Sequence, residues 1–361
     1  MLYPFLRPLF FSLDPEQAHQ VALTALTLLQ KSGASAVPPL GDSRLGQELW
    51  GLRFPNPVGL AAGYDKNALA PLAWSALGFG FAEMGTITAK AQPGNPKPRV
   101  FRLEQDQALI NRLGFNNEGA VAIATRLTQT LPIGRIHPIP LGFNIGKSKV
   151  TPLEEAVADY VESYERLFPF ADYLVVNVSS PNTPDLRKLQ EAERLQQLLE
   201  ALVMTNRRLA AQRRTSMKPV LVKIAPDLSD EEVVTIAQIA QITGASGLIA
   251  TNTTITRPTS LRTPIQQEGG LSGRPIAQRA LAVLRLLFRT VDGKLPLIGV
   301  GGIFSAEDAY ARIRAGASLV QVYTGLIYEG PFLPRRIVRG LRTLLARDGF
   351  SHLREAVGKD A

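Results

Sequence analysis

The chain of 361 residues has no cysteine, three histidines and a formal net charge of +9. The missing thiols exclude disulfides, cysteine-ligated iron–sulfur clusters and any thiol nucleophile or base, and His19, His137 and His352 are too scattered to expect a zinc site. Lys and Arg are dispersed, many in helical stretches such as 187–214 and 335–347, which reads as a solvated basic face or as attraction to anionic lipid or substrate; no nucleic-acid partner is expected.

Residues 1–45 read as a small helical appendage. MLYPFLRPLFFSL is apolar with one charge, Arg7, and lacks the small-residue cleavage site of a signal peptide. Asp14-Pro15-Glu16-Gln17 predicts a helix start, with Asp14 as N-cap, Pro15 in the first helical position and Gln17 reaching back. Ala18, Val21, Ala22, Ala25, Leu28 and Leu29 then form one apolar stripe, Gly33 ends the helix, and a loop covers 37–41. No uncharged apolar run reaches the roughly 18 residues that a spanning helix needs. The hairpin therefore either packs on the rest of the chain or lies in a bilayer surface and admits an apolar co-substrate; the second reading is preferred.

From residue 46 the pattern alternates. Strands are predicted near 54–61, 80–86, 139–145, 173–179, 219–225, 247–252, 296–301 and 318–323, with helices over 152–168, 189–212, 229–243, 275–291, 305–315 and 333–347. Near-continuously apolar strands separated by helices predict a closed (β/α)8 barrel over residues 46–361. The segments 88–118 and 255–275 are long for loops in a compact domain, and they read as functional lids over the barrel mouth.

The predicted strands end in polar or glycine-rich clusters: AAGYDK (61–66), GFNIGK (142–147), NVSSPNTP (177–184), VKIAPD (222–227), IATNTT (249–254), GVGGI (299–303) and QVYTG (321–325). Such residues pack poorly and bind ligands well. Gly301-Gly302 and Thr324-Gly325 close the last two strands, where barrels often bind phosphate through backbone N–H groups, and Gly273 can add another amide. With no P-loop and no G-x-G-x-x-G, barrel-bound FMN is expected rather than a dinucleotide. Lys223, flanked by apolar residues, requires an anion if buried, and a reduced flavin offers one. Asn111, Asn144, Asn177, Asn182 and Asn252, with Asn116 nearby, pair donors with acceptors as a pyrimidine ring does. Lys66 is available for a substrate carboxylate.

The motifs GLAAGYDKN, MGTITAKAQPGNPKPRVFRL, NRLGFNNEG, NIGKS, NVSSPNTPDLR, VKIAPDLS, ATNTT, GGLSGRP, IGVGGI and LVQVYTGLIYEGP are long and hardly shared with other barrels. Through them the chain resembles, over nearly its whole length, the class 2, quinone-dependent dihydroorotate dehydrogenases. That resemblance implies a (β/α)8 barrel with an N-terminal helical hairpin. It implies FMN contacts from Ala62, Gly63, Thr86, Asn144, Asn177, Lys223, Thr251, Gly273, Gly302, Tyr323 and Thr324. Orotate contacts would come from Lys66, Asn111, Phe115, Asn177, Asn182, Asn252 and Thr253. Ser180 would be the base, with Thr183 and a buried water on the proton's way out, while His19 and Arg102 would belong to the quinone pocket.

The implied reaction is oxidation of dihydroorotate to orotate in pyrimidine biosynthesis, with FMN taking the hydride, Ser180 taking the C5 proton and a membrane quinone as final acceptor. Class 1 relatives look to a cysteine base, and this chain has none. A monomer bound peripherally to the cytoplasmic face of a bacterial membrane is expected. Two rivals stand beside this reading: another FMN barrel acting on a different cyclic substrate, and a non-catalytic, membrane-peripheral flavin-binding protein. The first leaves the asparagine set and the hairpin unexplained.

Overall fold

Two helices, α1 (Tyr3–Ser12) and α2 (Pro15–Lys31), begin the computed structural model, which describes residues 3–33, 39–131, 137–264 and 266–361. Met1, Leu2 and, of the expected loop at 37–41, Val37 and Pro38 lie outside the described residues. Asp14 caps α2 as expected: its carboxylate accepts the backbone N–H groups of Glu16 at 2.9 Å and Gln17 at 3.2 Å. The expected apolar stripe does not close onto a core. Val21, Ala25 and Leu28 are exposed, and Leu23 is the one buried side chain of α2 among the described residues. The helix instead forms the wall of a cavity, described below.

Strands follow as β1 (Gln47–Leu49), β2 (Leu52–Phe54), β3 (Val58–Leu60), β4 (Phe81–Ile87), β5 (Val100–Leu103), β6 (Ala108–Asn111) and β7 (Leu141–Ile145). They continue as β8 (Tyr173–Asn177), β9 (Val220–Ile224), β10 (Gly247–Ala250), β11 (Gly270–Gly273), β12 (Leu297–Val300) and β13 (Ala317–Val322). The helices are α3 (Ala120–Thr130), α4 (Ala156–Leu167), α5 (Ala192–Arg213), α6 (Asp230–Thr243), α7 (Ala277–Val291), α8 (Ala306–Arg314), α9 (Thr324–Glu329), α10 (Leu333–Arg347) and α11 (Leu353–Ala356). Strands β3, β4, β7, β8, β9, β10, β12 and β13 pair in that order, all parallel, and the β13–β3 pair closes the barrel.

Strand periodicity makes the barrel interior layered. Alternate residues point inward, so Phe81, Tyr173, Leu221, Ile249, Ile298 and Leu319 fill its lower part, while neighbours such as Leu60, Met84, Leu174 and Val222 join the core toward the helices. The aromatic rings need room. A Cβ on Gly59 would stand 2.2 Å from the Phe81 ring, and one on Gly142 would stand 2.1 Å from the Tyr173 ring. Two residues further along, the same inward positions hold Glu83, Lys223 and Gln321, and Asn177 stands beside Lys223 in register. The interior thus turns from apolar to polar toward the C-terminal strand ends.

Two features depart from the predicted pattern. Residues 47–54 form an antiparallel hairpin, β1–β2, that seals the bottom of the barrel, with Phe54 edge-on to Phe81 at 5.5 Å and Trp50 donating to the Ser246 carbonyl at 2.7 Å. The strand expected at 54–61 is shortened to β3, because Pro55 and Pro57 cannot donate to a ladder. The expected lids are not two separate loops. They supply β5, β6 and β11, one antiparallel sheet with β6 at its centre, and Gly270 pairs there with Asn111 and Gly273 with Ala108.

Candidate active site

A cleft of about 980 Å³ opens at the C-terminal strand ends beneath the β5–β6–β11 sheet. Its lining includes each residue expected to contact FMN or orotate except Asn144, and it includes Ser180. Asn144 stands one layer behind. Its carboxamide donates to Glu83 Oε1 at 2.8 Å and accepts from Thr86 Oγ1 at 2.5 Å and Asn177 Nδ2 at 3.2 Å. Asn177 also donates to Thr86 Oγ1 at 2.9 Å, and its oxygen accepts from Ser179 Oγ at 3.0 Å and Asn252 Nδ2 at 3.3 Å. Asn182 donates to the Asn111 carbonyl at 3.0 Å, which ties the loop after β8 to the lid.

Glu83, fully buried on β4, organises the floor. Its Oε2 accepts from Gln321 Nε2 at 2.6 Å, and Lys223 Nζ lies 3.9 Å from its Oε1. Burial pushes Lys223 below the ordinary lysine value, and the Glu83 carboxylate pulls the other way. The expected site omits both Glu83 and Gln321. A signal existed for the first: a lone carboxylate inside the apolar run 81–87 must face the interior and find a cation, as Lys223 must find an anion.

The cleft suits an anionic guest with a flat polar ring. Among its described lining residues are two lysines, Lys66 and Lys223, and no carboxylate. One end is bare backbone at Gly273, Gly301, Gly302 and Gly325, and a Cβ on Gly325 would fall 2.1 Å from the Ile303 carbonyl oxygen. Gln321 Oε1 is buried without a protein partner, so an acceptor is left over for a guest's N–H. Burial lowers Lys66 to about 8, with the nearby Glu16 opposing.

Ser180 lines the cleft, and its Oγ accepts the Asn182 N–H at 3.3 Å. Thr183 does not reach the cleft; it is buried, and its hydroxyl has no protein partner. No histidine lines the cleft among the described residues.

A second, partly open cavity lies between the N-terminal helices and the barrel flank. Lys66, Leu113 and Tyr323 line both spaces and form the wall between them. His19 and Arg102 line the second cavity only. The His19 ring packs 4.8 Å from that of Tyr64, tilted by 58°, and the Tyr64 ring lies 5.7 Å from that of Tyr323. Burial and the facing Lys66 push His19 down to about 3, against a bond to the Tyr64 backbone, so its imidazole is neutral. Arg102 is already engaged: it donates to the Phe10 carbonyl at 3.0 Å and to that of Leu13, holding β5 to α1. Arg99 makes a second tie, its guanidinium bonding Glu16 of α2 at 3.0 to 3.1 Å.

Known proteins bear on this arrangement. The family model described as dihydroorotate dehydrogenase matches residues 44–345. A protein of Gloeobacter violaceus named dihydroorotate dehydrogenase (quinone) is 54% identical, with 99% of this chain and 98% of that one covered. One of the same name from Acidithiobacillus ferrooxidans is 52% identical over the whole of both chains. The crystal structure of Eimeria tenella DHODH in complex with ferulenol superposes with a TM-score of 0.87 at 42% identity, covering 96% of each chain. Fold and cleft together define a (β/α)8-barrel enzyme with its site at the C-terminal face. The chain belongs to the dihydroorotate dehydrogenase family, and so to the flavin-dependent oxidoreductases.

The floor of the cleft yields a stability test. Glu83→Ala strands Lys223, Gln321 and Asn144 in the interior and is expected to cost about 3–5 kcal/mol in denaturant unfolding, as loss of one partner of a buried pair does. A loss below about 1 kcal/mol would mean that the pair is not organising the floor.

Proposed function

We propose that this protein oxidises dihydroorotate to orotate with FMN as its flavin and a membrane quinone as final electron acceptor. The observation that carries the reading is the juxtaposition of two spaces: an amide-rich cationic cleft and a large, mostly apolar cavity, with Lys66, Leu113 and Tyr323 as common wall. Family membership and the relatives' names support the substrate and the quinone. Bound FMN supplies a hydride acceptor at the substrate and a carrier that quinone can reoxidise.

The chain's residues do the rest. The glycine backbone at 301–302 and 325, with Gly273, holds the phosphate end. Ala62, Gly63, Thr86, Asn177, Lys223, Thr251, Tyr323 and Thr324 line the ring end, and Asn144 holds Thr86 and Asn177 in place. Lys66 takes the substrate carboxylate. Asn111, Asn177, Asn182, Asn252 and Thr253 meet the donors and acceptors of the pyrimidine ring, against Phe115. Ser180 accepts the C5 proton as its own hydroxyl proton is relayed outward to solvent through a buried water and the Thr183 hydroxyl, which is buried with its hydrogen-bonding capacity unused. The lid sheet excludes bulk water.

Residues 1–45 form the quinone and membrane module, and 46–361 the catalytic barrel. Phe5 is 82% and Leu9 66% exposed on α1, which suits insertion into the headgroup boundary. No helix among the described residues is long and apolar enough to cross a membrane. In this reading attachment is peripheral, at the cytoplasmic face, by a monomer whose quinone enters past His19 and Arg102, which line the second cavity.

Three outcomes are expected. Under anaerobic conditions dihydroorotate bleaches the flavin band and a soluble quinone restores it; Ser180→Ala keeps the flavin but slows bleaching by at least ~10². A wild-type rate in that variant would remove Ser180 as base. The second is a pH dependence. Lys66 is cationic below about pH 8 and loses its proton above it, so KM for dihydroorotate should be flat at neutral pH and rise on the alkaline side. Lys66→Met should give a high, pH-independent KM; persistence of the alkaline rise in that variant would assign it elsewhere. Third, Phe5→Glu with Leu9→Glu should abolish sedimentation with anionic liposomes while dihydroorotate still bleaches the flavin. Unchanged sedimentation would dismiss α1 as the lipid contact.

A further inference from the structure

Behind the cleft, outside its lining, one guanidinium joins three active-site loops. Arg187 sits just past the NVSSPNTPD segment that follows β8. Its Nε donates to the Ser179 carbonyl at 3.2 Å, and its Nη2 donates to Asp227 Oδ2 at 2.8 Å and to the Thr253 carbonyl at 3.3 Å. Asp227, in the loop after β9, is tied in turn: its Oδ1 accepts from the hydroxyls of Thr254 and, at 3.2 Å, Thr256, both past the end of β10. Neither Arg187 nor Asp227 lines the cleft.

Two of the loops held in this way carry proposed ligand groups or the base: the first holds Ser180, Asn182 and Thr183, and the third holds Asn252 and Thr253. The second extends the strand that holds Lys223. The point of attachment matters. The Ser179 carbonyl belongs to the peptide that leads into Ser180, so fixing it fixes the plane from which the Ser180 side chain departs. The Thr253 carbonyl lies one residue beyond Asn252, which donates to Ser179 Oγ at 2.9 Å. The base and a substrate amide are thus referenced to the same guanidinium. Packing alone does not account for this pattern. An arginine kept only for solubility would leave its fork to water, whereas this one spends Nε and Nη2 on two carbonyls and a carboxylate that would otherwise seek partners.

We propose that the Arg187–Asp227 pair is a positioning device for proton removal: it sets where Ser180 stands relative to the substrate bound by Asn252 and Thr253. This rests on Ser180 being the base. Lysine cannot replace arginine here, because a single ammonium lacks the planar fork that reaches all three acceptors.

The test uses the flavin-loaded enzyme under anaerobic rapid mixing, with ordinary dihydroorotate and dihydroorotate deuterated at C5. Arg187→Lys should slow bleaching about 10- to 100-fold, the scale set by small misplacements of a reacting group. The C5 isotope effect on bleaching should rise as proton removal becomes limiting, while orotate affinity changes by less than about threefold. Asp227→Asn, which keeps the arginine but removes its anionic anchor, should move the same readouts in the same direction and serves if Arg187→Lys does not fold. An unchanged C5 isotope effect with a slowed rate would mean a merely structural role and overturn the proposal, as would a rate within twofold of the parent. Ser180→Ala, run alongside, separates the two ideas: if it bleaches at the parent rate the base assignment fails, and if it is inactive while Arg187→Lys is normal, only the positioning role fails.

Discussion

A carboxylate enclosed within a parallel barrel is the constraint from which the site follows. Glu83 cannot be solvated, so its oxygens must be met from inside, and they are met by Gln321, Asn144 and the cation of Lys223. These partners come from three different strands, β13, β7 and β9, of which β7 adjoins β4. The strand register that seats Phe81 and Tyr173 below also fixes the polar layer above. Lys223 is thereby held at the cleft floor without an exposed carboxylate beside it, and Asn144 is turned to anchor Thr86 and Asn177. A slip of one residue in any of these strands would place the polar layer among the helices and the apolar layer in the cleft.

Two spaces with a thin common wall need different chemistry on each side. The cleft side is cationic and rich in amides. The flank side is lined largely by aliphatic and aromatic groups, and its one histidine is neutral because burial and Lys66 both oppose its charge. Lys66 takes part in both environments, and the same enclosure makes its ammonium more acidic than an ordinary lysine's. Leu113 and the Tyr323 ring complete the wall beside Lys66, and Tyr64 packs 5.7 Å from Tyr323 on the flank side.

Much of this was legible in the amino acids. The eight barrel strands fall within a few residues of their predicted places because each is an apolar run ended by turn residues, a local signal. The cleft residues were legible for the same reason, since polar groups cluster where those runs stop. What escaped were pairings between distant segments. The sheet β5–β6–β11 joins residues near 105 to residues near 270, and neither segment announces its partner. The β1–β2 hairpin hid because Pro55 and Pro57 break the run that its second strand would have shared with β3. The stripe of α2 misled in another way. An apolar face records that water is unwelcome, not that protein covers it, and on this helix Leu23 alone is buried. Arg187 and Asp227 escaped too, since a charged residue in a loop reads as solvated until its acceptors are known.

The centre strand of the lid has a mechanical meaning. One edge of that sheet, β5, is riveted to the N-terminal helices by Arg99–Glu16 and by Arg102 on the α1 carbonyls. The other edge, β11, runs into Gly273 at the glycine-lined end of the cleft. Between them β6 pairs with both edges through continuous antiparallel ladders. The helical pair and the roof of the cleft therefore share one stiff beam. What those helices rest on is thus joined, through one hydrogen-bonded sheet, to the roof of the catalytic chamber.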